Sequence, residues 1–290
     1  MSKFVFITDI HLNATCGVRN GNPLDDTIDK LNYVVDYANK NKASILIGGD
    51  IFDHPCVPDF VKSKAASVFR KAKNKIYTIA GNHDILYNNT GFNYRTSYNL
   101  FKEVGLFTDI TDGIDLGDLK LHCSLPLEYL GKPQICMFHG FYNIKDGNFT
   151  CNTSDIITTN DETLVLLGHD HSVYPMEQPR ENVRVIRSGS LFRGIRTDEQ
   201  NRVPQMVVIE LKDGKFDVQY VDIKCRAASE IFTAKNAAPV KKKDEESLDY
   251  DGIISRIRTA KSSEMTLEDA LREVTTEDVV EYVEMLVSEQ

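Results

Sequence analysis

Five short polar clusters carry the residue types that could do chemistry in this chain. They are Asp9-Ile10-His11, Gly48-Gly49-Asp50-Ile51-Phe52-Asp53, Gly81-Asn82-His83-Asp84, His139-Gly140 and Gly168-His169-Asp170-His171. Five of the seven histidines sit in these clusters, a concentration that capping or core roles do not account for. Carboxylates, imidazoles and an amide oxygen are the donors that suit Mn²⁺, Fe, Zn²⁺ or Mg²⁺, and no thiolate stands among them to make a structural zinc site. Two divalent ions held about 3.5–4 Å apart need an anionic ligand between them. Asp50, flanked by glycines in a tight turn, is the expected bridge. Asp9, His11 and His171 then complete one ion, and Asn82, His139 and His169 the other. The glycines at 49, 81, 140 and 168 let backbone pass close to the ions.

Elements that could bring these clusters together are legible around them. Lys3–Thr8, Ser44–Gly48, Lys75–Ala80, Gln134–Phe138 and Thr163–Leu167 are short runs dominated by apolar side chains, the pattern of buried strands. Each runs directly into one of the polar clusters. Between the first two, Leu24, Ile28, Leu31, Val34, Val35 and Ala38 fall on one helical face. Val61, Ala65, Val68, Phe69 and Ala72 do the same between the next two. Alternating strand and helix predicts a layered α/β domain, and loops at the carboxyl ends of its strands converge on one crevice. Later strands are expected at Val183–Arg187, Gln205–Leu211 and Lys215–Ile223, the last two joined by a turn at Asp213-Gly214.

In this order, Asp-x-His, Gly-Asp-x-x-Asp, Gly-Asn-His-Asp, His-Gly and Gly-His-x-His resemble the calcineurin-like metallophosphoesterases, over roughly residues 3–225. The resemblance implies a four-layer sandwich of two mixed β-sheets flanked by helices, with two metals at one edge. It implies the same seven ligands that the residues suggest by themselves. His83, next to a ligand and outside the ligand set, is the expected catalytic residue, able to protonate the leaving oxygen. Asp84 is expected to hold its tautomer. The expected nucleophile is a hydroxide between the metals.

Finer resemblance points to the Mre11/SbcD nuclease branch, of the kind encoded by phages. Gly49-Asp50-Ile51-Phe52-Asp53 followed by Pro55 and Pro58, the run Gly81–Asn89, and Ser188-Gly189-Ser190-Leu191-Phe192-Arg193 carry it. Ser188 stands where that branch has proline, and some relatives have histidine at the position of Asp53. The branch implies a Mn²⁺-dependent DNA exonuclease and endonuclease of repair or recombination and a Rad50/SbcC-like SMC ATPase partner; a homodimer is one possible assembly, and the sequence leaves the oligomeric state open. Arg95, Arg187, Arg193 and Arg196 are the candidates for phosphate contact. Two other readings stand beside this one. The first is a phosphodiesterase or phosphatase for small nucleotides or phosphoproteins, and the second is a scaffold that kept the fold without catalysis.

Composition narrows the setting. With 41% apolar residues the chain can bury a sizeable core, and no run of about 18 apolar residues suggests a membrane span. The first residues read as a strand and not as a signal peptide. Six scattered cysteines without a Cys-x-x-Cys pair fit reduced thiols, so the cytoplasm (a host's, for a phage protein) is the expected compartment. Residues 241–290 hold 7 Lys+Arg against 14 Asp+Glu, whereas the other 240 hold 27 against 29, so the net charge of −9 is mostly C-terminal. The domain plan is therefore a metallophosphoesterase body over 1–228, a polar linker over 229–250 and a helical tail over 251–290. In that tail Thr266-Leu-Glu-Asp269 and Thr275-Thr-Glu-Asp278 each read as an N-cap followed by an apolar stripe, a form suited to docking a partner.

Overall fold

In the computed structural model the described residues are 2–13, 23–86, 94–143, 150–193 and 202–231. The chain divides into two units, Met1–Ala237 and Ala238–Gln290, and every described residue lies in the first. The expected helical tail therefore lies outside the described residues, as does the linker apart from its first residues.

Two six-stranded mixed sheets make up the body. In the first, β1 (Lys3–Ile7), β2 (Ser44–Ile47), β3 (Ile76–Thr78) and β4 (Thr108–Asp109) run parallel. The hairpin of β13 (Gln205–Lys212) and β14 (Lys215–Asp222) adds antiparallel beside β1. In the second sheet β6 (Lys120–His122), β7 (Gln134–His139), β10 (Thr163–Gly168) and β12 (Val183–Ile186) are parallel. Their antiparallel edges are β5 (Ile114–Asp115) and β11 (Glu177–Arg180). A separate pair, β8 (Phe141–Tyr142) and β9 (Thr150–Cys151), lies beside the second sheet's continuation.

The period-2 alternation of strand side chains builds the layers. On β1, Val5 and Ile7 join the core beneath the helices α1 (Pro23–Asn41) and α2 (Asp59–Phe69), where Leu31, Val34, Ala38, Val61 and Val68 meet them. Phe4 and Phe6 point the other way, into a core shared with Ile135, Met137, Leu164 and Leu166 of the second sheet. The opposite faces of β7 and β10 give Cys136, Val165 and Leu167 to a third core with Ile156 of the one-turn helix α4 (Thr153–Ile156). Strands buried on both faces explain why the apolar runs in the sequence are continuous. Helix α1 has Asp25 and Asp26 in its first turn and Lys40 in its last, favourable at the two ends of the helix dipole.

The architecture is thus the expected α/β sandwich of two mixed sheets with flanking helices. The last helical layer is thin, and further elements lack a clear signal in the sequence. Helix α3 (Ser97–Glu103), capped by Thr96 Oγ1 accepting from the Asn99 amide, buries Tyr98 and Phe101. Strands β4, β5, β8 and β9 are two residues each, too short to carry a period. Among the described residues, no helix is long and apolar enough to cross a membrane.

Candidate metal centre

The carboxyl ends of β1, β2 and β3 in one sheet, and of β7 and β10 in the other, open onto the same place. Asp9 and His11 follow β1, Asp50 follows β2 and Asn82 follows β3. His139 ends β7, and His169 and His171 follow β10. Four of these residues hold a backbone conformation that side chains other than glycine rarely adopt: φ is 52° at Asp9, 47° at His11, 49° at Asp50 and 87° at His169. Such left-handed turns cost of order 1 kcal/mol or more each and persist only where surroundings fix them. Here the fixing bonds are visible. The amides of Ile10 and His11 donate to Asp50 O at 2.9 and 3.0 Å, and the His169 amide donates to both carboxylate oxygens of Asp9 at 3.0 and 3.1 Å.

Donor atoms gather in two clusters on either side of the Asp50 carboxylate, and a third group, His11, Asp53 and His83, shares His11 with one of them. Asp9, His11 and His171 form one, with His11 Nε2 and His171 Nε2 3.1 Å apart and Asp9 Oδ1 at 3.9 and 3.8 Å from them. Asp50, His139 and His169 form the other. Asn82 Oδ1 joins it, 3.1 Å from His139 Nε2 and 2.9 Å from His169 Nδ1. Asp50 Oδ2 lies 3.1 Å from His139 Nε2 and 3.7 Å from His11 Nε2, so its carboxylate stands between the two groups. Imidazole nitrogens that face each other this closely around carboxylates are the donor set of a divalent cation. His139 Nδ1 donates to Gly48 O at 2.8 Å, which leaves its Nε2 facing the cluster, free to ligate an ion once its proton is lost.

Charge in this setting is strongly coupled. Burial would raise the Asp50 carboxyl, but the hydrogen bond and charge of His139, with His11 and the His83 amide, outweigh it and pull it down to about 2. Burial would lower His139, yet its bond to Asp50 and the charges of Asp9 and Asp50 push it up to about 9. His11 is raised for like reasons, its burial outweighed by Asp53, Asp9 and Asp50. His169 is lowered, by burial and then by the neighbouring His139.

Two phenylalanines and a threonine complete the surroundings, and of these only Phe192 belongs to a motif legible in the sequence. The Phe141 ring meets His169 edge-on at 4.5 Å, Phe192 meets His11 at 5.7 Å, and Thr8 Oγ1 donates to Asp9 Oδ2 at 2.7 Å. The segment bearing Phe192 is tied down by the Leu191 and Phe192 amides, which donate to Thr8 O and Asp9 O, and by Lys30 Nζ, which donates to Leu191 O at 2.8 Å. Lys30 is fully buried and pairs with the buried Asp26 at 3.3 Å. Only a contact map across the fold could have exposed that role.

His83 lies beside the first cluster, its ring edge-on to His11 at 4.8 Å. Its Nδ1 donates to the carbonyl of Asp53 at 2.7 Å, and its amide donates to Asp50 Oδ1 at 2.9 Å. The Asp53 carboxylate meanwhile stands 3.2 Å from His11 Nδ1. Asp53 thus holds both rings, and the tautomer-holding role expected of Asp84 belongs to its carbonyl. Asp84 is buried instead as an acceptor for the Ile51, Phe52 and Gly81 amides at 3.2, 3.1 and 3.0 Å, joining the second and third loops. Burial, reinforced by the charge of Asp50, raises its carboxyl to about 6 despite those three amides.

The arginines expected to meet phosphate divide differently. Arg193 is buried, donating to Arg226 O at 2.7 Å with Asp26 at 3.9 Å, so a structural role replaces the expected one. Arg187 lies over the Tyr174 ring at 3.7 Å and pairs with Glu177, which occupies its charge. Arg95 is exposed. Arg196 lies outside the described residues.

Comparison with known proteins decides the family. The pattern described as Calcineurin-like phosphoesterase matches residues 2–181, more than half of the chain. The chain belongs to the calcineurin-like phosphoesterases. It is similar to the protein TT1561 of Thermus thermophilus, at 14% identity and a TM-score of 0.46, covering 75% of this chain and 98% of that one. It is similar to a 5′-nucleotidase precursor from the same organism, at 9% identity and a TM-score of 0.43, covering 77% of this chain and 54% of that one. Vps29 from Entamoeba histolytica, solved with zinc, is a further similar structure, at 13% identity and a TM-score of 0.37 over 77% of this chain and 99% of that one. Sequence comparison finds no match among curated proteins. The family is that of metal-dependent phosphoester hydrolases, and the clusters supply donors for divalent ions.

Proposed function

We propose that the chain is a two-metal phosphodiesterase acting on DNA, a Mn²⁺-dependent exonuclease and endonuclease. The observation that carries the reading is the pair of donor clusters with Asp50 between them and His83 beside them. Asp9, His11 and His171 would hold one ion and Asn82, His139 and His169 the other, with Asp50 shared. When bound, the ions supply Lewis acidity toward a phosphoryl oxygen and a lowered pKa for water. The chain supplies orientation and proton transfer. Since a carbonyl can only accept, His83 Nδ1 keeps its proton on Asp53 O, and the proton that moves is the one on Nε2. From Nε2 the imidazolium form of His83 protonates the leaving oxygen, and Asp53 keeps the ring aimed while it does so.

The geometry suits phosphomonoesters as well as diesters. DNA is preferred on the Gly-Asp-Ile-Phe-Asp segment at 49–53 and the Ser-Gly-Ser-Leu-Phe-Arg segment at 188–193, which resemble those of the Mre11/SbcD branch. On the same resemblance the partner is a Rad50/SbcC-like SMC ATPase docked on the apolar stripes within residues 267–287. The protein is then a homodimer that works in the cytoplasm, in repair or recombination. End-labelled single- and double-stranded DNA, incubated with Mn²⁺, Mg²⁺, Zn²⁺ or Fe²⁺, tests the substrate. Intact DNA alongside turnover of bis-p-nitrophenyl phosphate or a cyclic nucleotide would exclude the nuclease. Truncation after residue 228 tests the dock, and continued co-purification with the ATPase would place it elsewhere.

A further inference from the structure

Beside the second donor cluster lies an open cavity of about 650 Å³ that the proposed chemistry leaves unused. His139 is among its lining residues, as is Ala80, the residue before the loop that carries Asn82. The cavity therefore borders the Asp50–His139–His169 cluster and extends away from it between helix α3 and the end of β7. Its walls include Ile79, Ile85, Tyr98 and Phe138, an apolar and partly aromatic lining. Asp109 and Asp112 provide acceptors against a single exposed cation, Lys102. Asp109 is partly committed already, to the Tyr98 hydroxyl at 2.8 Å and to the Thr111 amide at 2.7 Å.

We propose that this cavity receives the nucleobase next to the reacting phosphate, an inference that rests on the clusters binding that phosphate. A volume of several hundred Å³ with mostly apolar walls and a few polar groups is the form of a small-molecule site. Away from the His139 end, two carboxylates against one lysine disfavour a second phosphate or an acidic side chain. They favour an uncharged ring whose edge carries N–H donors. A base paired within a duplex must first lose a few kcal/mol of pairing and stacking to enter, so the cavity favours a single-stranded or unpaired nucleotide at the cut.

Titration calorimetry on the full chain with Mn²⁺ tests this, using adenosine monophosphate and ribose 5-phosphate as probes. The wild type is expected to bind the nucleotide at least about tenfold more tightly, the effect of one base against an aromatic wall. Asn99→Trp and Thr111→Trp fill the cavity from two different elements and are expected to erase that difference while leaving ribose 5-phosphate affinity within about twofold. Equal affinity for the two probes in the wild type overturns the proposal. So does retention of the tenfold preference in both variants, each shown to be folded by circular dichroism. Hydrolysis of bis-p-nitrophenyl phosphate reports separately on the phosphoesterase reading. Loss of hydrolysis with base preference intact sinks that reading alone, and hydrolysis without base preference sinks the cavity alone.

Discussion

Gly81→Ala should damage the site through a single methyl group. Gly81 has φ −94° and ψ 178°, a conformation alanine adopts freely, so the substitution carries no dihedral strain and isolates the steric effect. A Cβ at this position would stand 2.1 Å from Asp50 Oδ1, 2.4 Å from Asp50 N and 2.7 Å from Asp50 Cγ. Reaching even the 3.0 Å floor of real Cβ contacts requires a displacement of at least 0.9 Å, the difference between 3.0 and 2.1. Asp50 has little freedom to absorb it, being held at φ 49° with its carboxylate on the His83 amide and against His139. Displacing the shared carboxylate by about 1 Å should cost on the order of 100-fold in kcat/KM. Overpacking should add roughly 1–3 kcal/mol of destabilisation. The assay is bis-p-nitrophenyl phosphate hydrolysis with Mn²⁺, with calorimetric metal binding and urea unfolding in chelator run in parallel. A variant that binds two ions and turns over at the wild-type rate would refute the claim that Asp50 is positioned by contact with this loop.

Further outcomes follow from the same geometry. His83→Ala should retain both ions by metal analysis and lose about 10²–10⁴-fold in turnover, whereas Asp50→Ala should lose metal outright; wild-type turnover in the His83 variant would remove its catalytic assignment. Because Asp50 holds His139 protonated up to about pH 9, Mn²⁺ binding near pH 7 should release a proton from that ring. Affinity should therefore weaken by about tenfold per unit as the pH falls below 9, which calorimetry in buffers of different ionisation enthalpy would read. The raised value also means that His139 stabilises the metal-free fold fully below its unfolded value near 6.5, a contribution that fades as the pH climbs through 9. Lys30→Ala should lower unfolding free energy by roughly 1–3 kcal/mol, since it removes one of the two cations facing the buried Asp26 carboxylate and leaves the Leu191 carbonyl without that donor, and an unchanged urea midpoint would contradict the buried pair.

How much of this was legible beforehand depended on range. The five strands that end at the clusters declared themselves by apolar runs, and α1 and α2 by helical period, because both signals are local. The clustered donors were legible for the same reason, each lying at or within a few residues of a strand's carboxyl end. The partners of Asp84 and Arg193 are not legible locally, because they are distant in sequence. Three amides from two loops claim the first, and Asp26 with the Arg226 carbonyl claims the second. Motif adjacency placed Asp84 next to His83, but a 3₁₀ turn over Asn82–Asp84 sends the two side chains to different partners. The support from Lys30 was invisible in the same way, 161 residues from the carbonyl it holds.

Neither cluster belongs to one sheet. Asp9, His11, Asp50 and Asn82 come from the first, and His139, His169 and His171 from the second. The centre is therefore also a rivet between the sheets. A fragment ending before β7 would carry none of the second sheet's donors, so high-affinity ion capture must wait until both halves of the sandwich have met. Ion concentration then becomes a thermodynamic handle on that meeting. At 100 times its dissociation constant a single bound ion adds about 2.7 kcal/mol to the folded state. Chelation should accordingly raise hydrogen exchange first along the seam joining the ends of β1 and β10, and leave the helices over the far face as protected as before.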